Sequence, residues 1–237
     1  MTQTLISNIQ NELLKNADER TKATAQNFFK EKVIYHGVKT ATVSKIAKQF
    51  FPRDKSKAEI FKLCEELFKT GFMEESFVAC EWSYKVHKDF EKPDFEIFEK
   101  WVKKYITNWA TCDTLCNHTV GELIIMIPDL IENLKAWTQS QNRWVKRASA
   151  VTLIIPAKKG LFKKEIFEIA NILLLDPDDL VQKGYGWVLK SLSQSSIQNQ
   201  KNVFEFVMKN KQTMPRTALR YAIEKMPSEL KSLAMAK

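Results

Sequence analysis

The segment NWATCDTLCNH, Asn108 to His118, brings Trp109, Cys112, Asp113, Cys116 and His118 within reach of one another along the chain. Thiolates with an imidazole could hold a metal. A carboxylate beside an indole could stabilise a developing positive charge. On an α-helix Cys112 and Cys116 share a face, but His118 points about 120–160° away from them. A structural zinc site draws four converging ligands, usually from a turn and a second element, and His36 and His87 are isolated in sequence. The spacing therefore argues against a metal, and no cofactor motif replaces it: GxGxxG, GxxxxGK[ST] and GxSxG are all missing. Cys64, Cys80, Cys112 and Cys116 are too few for a disulfide framework and read as small buried hydrophobes. Trp109 and Asp113, four residues apart, lie on one helical face. Alone, such a pair reads as a core tryptophan with a capping or surface aspartate.

Two later segments add weight to the pair. NRWVKRASAVTLI (142–154) carries Arg143, Lys146 and Arg147 in an otherwise apolar helix, and VQKGYGWVLK (181–190) carries Lys183, Trp187 and Lys190. Gly184 and Gly186 stand mid-helix, where each costs about 1 kcal/mol relative to alanine. Close approach by a ligand or backbone would explain them, and tight helix packing would explain them equally well. Asp113, Arg147 and Trp187 follow one another at intervals of 34 and 40 residues.

Those intervals match the period of the elements that must carry the residues. Glycine is scarce, alternating β-branched runs are absent, and helical periodicity recurs throughout. KAEIFKLCEELFKTG (57–71) sets Ile60, Phe61, Leu63, Cys64, Leu67 and Phe68 on one stripe and stops at Gly71. FEIFEKWVKKYI (95–106) repeats the pattern. The segment 161–194 reads as two helices, broken at Asp176-Pro177 with Asp176 as N-cap and Pro177 in the first helical position. MPRTALRYAIEKMP (214–227) is a short helix between two prolines. A dozen or more helices of about 10–18 residues fall into pairs, with second helices near 74–89, 109–126, 142–155, 178–193 and 215–226. A period of about 35–40 residues is that of HEAT-like repeats or slightly shorter. The expected fold is all-α, an α-solenoid of stacked antiparallel helix pairs forming one domain over 1–237 with a concave basic face. A compact helical bundle is the alternative. Stacking would bring Asp113, Arg147 and the two tryptophans side by side.

Composition narrows the partners. The chain has 37 Lys and Arg against 28 Asp and Glu, a formal charge of +9 spread along its length. That favours a polyanion, whether DNA, RNA or an anionic membrane surface, bound to a folded basic surface. No apolar run approaches the roughly 18 residues of a membrane span, and no signal peptide is recognisable. A cytoplasmic protein is expected. Duplex DNA would be held by its phosphates on Lys and Arg. A carboxylate could then stabilise positive charge developing on a deoxyribose and position water at its anomeric carbon, the logic of glycoside hydrolysis. A purine alkylated at N3 or N7 is already cationic and leaves without a general acid.

The blocks NWATCD (108–113), NRWVKRASAV (142–151), LVQKGYGWVLK (180–190) and MPRTALRYAIEK (214–225) resemble, in matching order, the AlkD-type family of DNA alkylation repair glycosylases. YHGVKTATVSKIAK (35–48) resembles the family's N-terminal pattern more loosely, with Ala41 where proline is common and Ser44 where arginine is; upstream of it, Phe28 takes a place where some members have tyrosine. The resemblance implies a monofunctional, cofactor-free glycosylase of base excision repair. It would release 3-methyladenine and 7-methylguanine from duplex DNA without flipping the base. By position, Asp113 would be the catalytic carboxylate, Trp109 and Trp187 the deoxyribose contacts, and Arg147 a backbone contact. Arg143, Lys183, Lys190, Arg216 and Arg220 are expected on the DNA backbone with it. A monomer associated with the nucleoid through DNA is expected, with neither membrane nor metal as partner. The rival readings are a non-catalytic binder of branched or damaged DNA and a protein-interaction solenoid.

Overall fold

A computed structural model of the chain describes residues 2–236; Met1 and Lys237, the ends of the domain expected over 1–237, lie outside the described residues. The chain divides into two compact units, Met1–Leu115 and Cys116–Lys237. Among the described residues every regular element is helical, apart from one isolated parallel bridge between Ile34 and Phe72. The fold class is all-α.

The first unit comprises α1 (Thr2–Lys15), α2 (Glu19–Ala25), α3 (Thr40–Gln49), α4 (Lys57–Lys69), α5 (Met73–Lys85), α6 (Asp94–Tyr105) and α7 (Trp109–Thr114). Local chemistry sets α4. The Ser56 side chain accepts from the Glu59 N–H while Glu59 accepts from the Ser56 N–H, a reciprocal capping box. The stripe read from sequence is buried in full, and α4 and α3 both pack on α5. Phe61, Phe90, Phe98 and Trp101 meet with ring centroids 5.2–6.2 Å apart. Each such buried ring contributes roughly 1.5–3 kcal/mol.

Two carboxylates in the first turn of α5 are also buried. Glu74 accepts the backbone N–H groups of His36 (3.0 Å), Gly37 (2.9 Å) and Val38 (3.0 Å). Glu75 meets His36 Nε2 at 2.9 Å and accepts from Gln10 Nε2 at 3.1 Å. The His36 ring stacks on Phe72 with centroids 4.1 Å apart. Together these contacts fix the segment that leads into α3.

The second unit comprises α8 (Gly121–Met126), α9 (Ile131–Trp137), α10 (Arg143–Val151), α11 (Ile154–Lys158), α12 (Lys163–Ile172), α13 (Asp179–Ser193), α14 (Ile197–Asn210), α15 (Arg216–Ile223) and α16 (Ser228–Met235). Helices pair in succession, α9 with α10, α12 with α13 and α14 with α15, and α13 also packs on α10, α11 and α15. Its N-cap is Asp178, whose side chain accepts the Leu180 N–H at 2.9 Å. The cap expected at Asp176 thus falls two residues too early. The Asp176 carboxylate serves the loop instead, accepting the Asp178 N–H at 2.9 Å and Lys146 Nζ at 2.6 Å.

Two helices expected to be continuous are interrupted. The chain turns from α7 to α8 through a π-helix, Leu115–Val120. After α10 the helix breaks at residues 152–153. Pro156 explains the second break, since it has no N–H for the Thr152 carbonyl and its ring crowds that oxygen. The released oxygen lies 2.8 Å from where a Cβ on Gly121 would stand. Glycine at 121 is therefore what lets α8 approach.

Candidate functional site

In the first unit, the candidate residues stand on α7. Asn108 caps this helix, its side chain accepting the Thr111 N–H at 2.9 Å. Trp109 is half-buried, and one turn later Asp113 is buried, with 6% of its surface exposed. The indole is held from outside its own helix. Its Nε1 donates to the Phe28 carbonyl at 3.2 Å, and its ring stacks on Phe29 at 5.4 Å with 25° between the planes. Gln26 shapes that loop, donating from Nε2 to the carbonyls of Phe29 (3.3 Å) and Glu31 (2.9 Å). Trp109, Phe28, Phe29, Met73 and Phe77 line an open groove of about 280 Å³. The Phe28 side chain stays 72% exposed at its rim. A carboxylate shielded from water acts on nearby positive charge more strongly than one in solvent.

Cys112 and Cys116 are fully buried, and His118 is exposed. The wheel angle expected for His118 needs correcting, because residues 115–120 form the wider π turn and do not advance as an α-helix does. No group of three or more His, Cys, Asp or Glu that could hold a metal ion occurs among the described residues.

In the second unit, each helix presents its candidates one turn apart: Arg143 and Arg147 on α10; Lys183, Trp187 and Lys190 on α13; Arg216 and Arg220 on α15. Arg147 is buried, 4% exposed, and donates through Nη1 to the Leu180 carbonyl. Its aliphatic stem runs past Gly184, where a Cβ would stand 3.4 Å from Arg147 Cγ. Arg143 binds Asp178 at 2.6 Å through Nε, with its guanidinium 5.6 Å from the centre of the Trp144 ring. Lys183 binds Asp179 at 3.1 Å. Lys190 binds Glu224 at 2.7 Å and lies 5.3 Å from the centre of the Tyr221 ring. The Lys190 ammonium draws the Glu224 carboxyl below its ordinary range. Partly exposed pairs of this kind are worth about 0–1 kcal/mol, so a phosphate could take over these cations at small cost. Arg216 and Arg220 are exposed, Arg216 donating to the Met235 carbonyl at 3.4 Å. Trp187 is half-buried.

Of the two mid-helix glycines, Gly186 answers to packing, whereas a Cβ at Gly184 would meet only side-chain atoms at ordinary contact distance. A Cβ on Gly186 would stand 2.7 Å from both the Ala218 carbonyl oxygen and Tyr221 Cβ, so α13 meets α15 there backbone to backbone. Sequence reasoning missed Phe29, the other half of the Trp109 stack, and the Glu74–Glu75 clamp. Neither carried a sequence signal, since a loop phenylalanine and acids in a helix's first turn are both commonplace.

These features define an all-helical protein of successive helix pairs, with an indole–carboxylate face on one helix and basic faces on several others. The sequence model of the family described as "DNA alkylation repair enzyme" matches residues 9–226, and the chain belongs to that family. Among solved structures, a protein described as a predicted DNA alkylation repair enzyme from Enterococcus faecalis superposes with a TM-score of 0.79. Identity is 15%, and the superposition covers 90% of this chain and 98% of the other. At that identity the likeness is one of fold. The curated proteins contain no match to this chain. No helix among the described residues is long and apolar enough to cross a membrane.

Proposed function

We propose that the chain is a monofunctional DNA glycosylase of base excision repair, hydrolysing the N-glycosidic bond of N3- and N7-alkylated purines in duplex DNA. The observation that carries the reading is the α7 face, where a buried carboxylate follows one turn after an indole held at the edge of an open groove. Membership of an alkylation repair family supports alkylated DNA as the substrate.

Alkylation leaves the purine cationic. When the C1′–N9 bond breaks, its electron pair neutralises the ring and the base departs without a proton donor. The deoxyribose is left with positive charge at C1′ and O4′, which the Asp113 carboxylate stabilises. Water adds at C1′ and its proton passes to Asp113 or solvent, leaving an abasic site. Trp109 packs against the deoxyribose, and Trp187 is assigned the same role. Arg143, Lys183, Lys190, Arg216 and Arg220 take phosphates. Arg147 joins them, a role the family resemblance supports, with its stem fixed beside Gly184. As that resemblance implies, the base stays in the duplex, and the protein acts as a monomer.

The test is release of free 7-methylguanine from methylated duplex DNA. Wild-type protein should release it. Asp113→Asn should lower the rate at least 100-fold, the scale of losing one electrostatic stabiliser, while DNA affinity changes less than threefold. Base release unchanged in the variant removes Asp113 from the chemistry. Tight binding by wild-type protein without base release points to the non-catalytic binder.

A further inference from the structure

We propose that the hollow at the C-terminal ends of α3 and α5 is a second DNA-binding site, holding the sugar–phosphate backbone of a strand beyond the lesion. The inference rests on the reading of the chain as a DNA-engaging protein, but not on its chemistry. The hollow measures about 720 Å³ and gathers Lys48, Arg53, Lys55, Lys85 and Lys88 around Phe51. Lys48, Arg53, Lys85 and Lys88 are exposed. Its floor is fixed: Phe51 meets Trp82 edge-on at 6.1 Å, and Trp82 Nε1 donates to the Ala47 carbonyl at 2.8 Å. Lys85 Nζ stands 5.7 Å from the centre of the Phe51 ring.

The opposing charges are too few to balance these cations. Asp89 lines the hollow, Lys55 is paired with Glu59 at 3.4 Å, and the two helix C-termini contribute roughly half a negative charge each. A surplus of about two positive charges remains on that accounting.

A furrow between α3 and α5 favours a polymer over a small anion. Lys48, Phe51 and Lys85 also bound an adjoining hollow, which Glu81 lines as well. Glu81, which accepts from Ser44, then bounds a third hollow with Thr40, Phe77 and Thr114. Thr40 and Phe77 in turn line the groove at Trp109. From Thr40 to Lys48 the helix advances about 12 Å, the length of three to four nucleotide steps at 3.4 Å along one strand. A strand contacted at Trp109 would thus reach the basic end within a few nucleotides. A free phosphate would have no use for the furrow.

The test is salt-dependent binding to undamaged duplex DNA, using wild-type protein and the double variant Lys48→Ala/Lys85→Ala. Losing two phosphate contacts should flatten the slope of log affinity against log salt by about 1.8. Carried from 1 M to 0.15 M salt, that slope amounts to about 30-fold weaker binding. Wild-type protein should also lose affinity when the duplex is shortened on one flank, and the variant should not. Thermal melting of both proteins checks the fold. An unaltered slope with unaltered flank dependence overturns the proposal. So does tripolyphosphate that binds wild-type protein but not the variant while DNA binding stays equal. A flattened slope without any base release from methylated DNA keeps this site and refutes the glycosylase reading. Base release with an unaltered slope does the reverse.

Discussion

Gly184 and Gly186 lie two residues apart on α13, and alanine at each should move stability in opposite directions. Alanine gains about 1 kcal/mol of helix propensity over glycine at either position. At 184 the new methyl would stand 3.4 Å from Arg147 Cγ and Val151 Cγ1. Those are side-chain atoms at ordinary contact distance, so most of the gain should survive. At 186 the methyl would stand 2.7 Å from the Ala218 carbonyl oxygen and from Tyr221 Cβ, with Ala218 Cα at 3.2 Å. These atoms are the body of α15 and cannot rotate away. Relief requires α13 and α15 to separate, and overpacking of that kind costs typically 1–3 kcal/mol. With two atoms this close the upper end applies, and after the propensity gain a net loss of about 2 kcal/mol remains. Urea unfolding of the two single variants measures both signs, with unchanged m-values showing that the same surface is exposed. Equal stabilisation by both would refute the helix-contact account of Gly186. Gly184→Ala carries a second reading: if glycine were there to admit a ligand, DNA affinity would collapse while stability rose. A glycine that admits no ligand predicts affinity within about threefold of wild type, a change below 0.7 kcal/mol.

Other expectations follow from the same contacts. Glu74→Ala removes the acceptor for three backbone N–H groups, of His36, Gly37 and Val38, and should cost about 3–5 kcal/mol; hydrogen exchange at these amides should quicken before global unfolding, and unchanged protection would refute the clamp. Ser56 backbone and side-chain donors, with Lys55 after them, pull the Glu59 carboxyl from its ordinary 4.5 down to about 2. Because the folded value is the lower one, this stabilisation is complete above about pH 4.5 and is lost as pH falls toward 2. Acid unfolding of Glu59→Gln should therefore depend less on pH across that window, and parallel curves would remove Glu59 from the acid response. Arg220→Ala, on an exposed position of α15, should leave stability unchanged and flatten the salt slope of DNA binding by about 0.9; an unaltered slope would place it off the phosphates. Arg147→Ala should lower stability, because the residue is buried and donates to the Leu180 carbonyl. A folded variant of wild-type stability would show that this bond is idle.

The sequence alone determined where most of the helices lie, and the family. Periodicity and capping are contacts between residues three or four apart, so the stripe of α4 and the stop at Gly71 could be read directly. The pairing of helices showed as a recurring interval, and the Trp109–Asp113 face as a four-residue spacing. Tertiary structure decided which groups meet from afar. Trp109 bonds to Phe28 across 81 residues, and Glu75 takes Gln10 across 65. Tertiary contact also drew Asp176 to Lys146, so that Asp178 caps α13. It buried Arg147 against Leu180 and set Gly186 on Ala218. Local spacing constrains the direction of a side chain relative to its own helix. It does not say what stands opposite, because that depends on how separate helices pack, and there a shift of one ångström separates a contact from a clash.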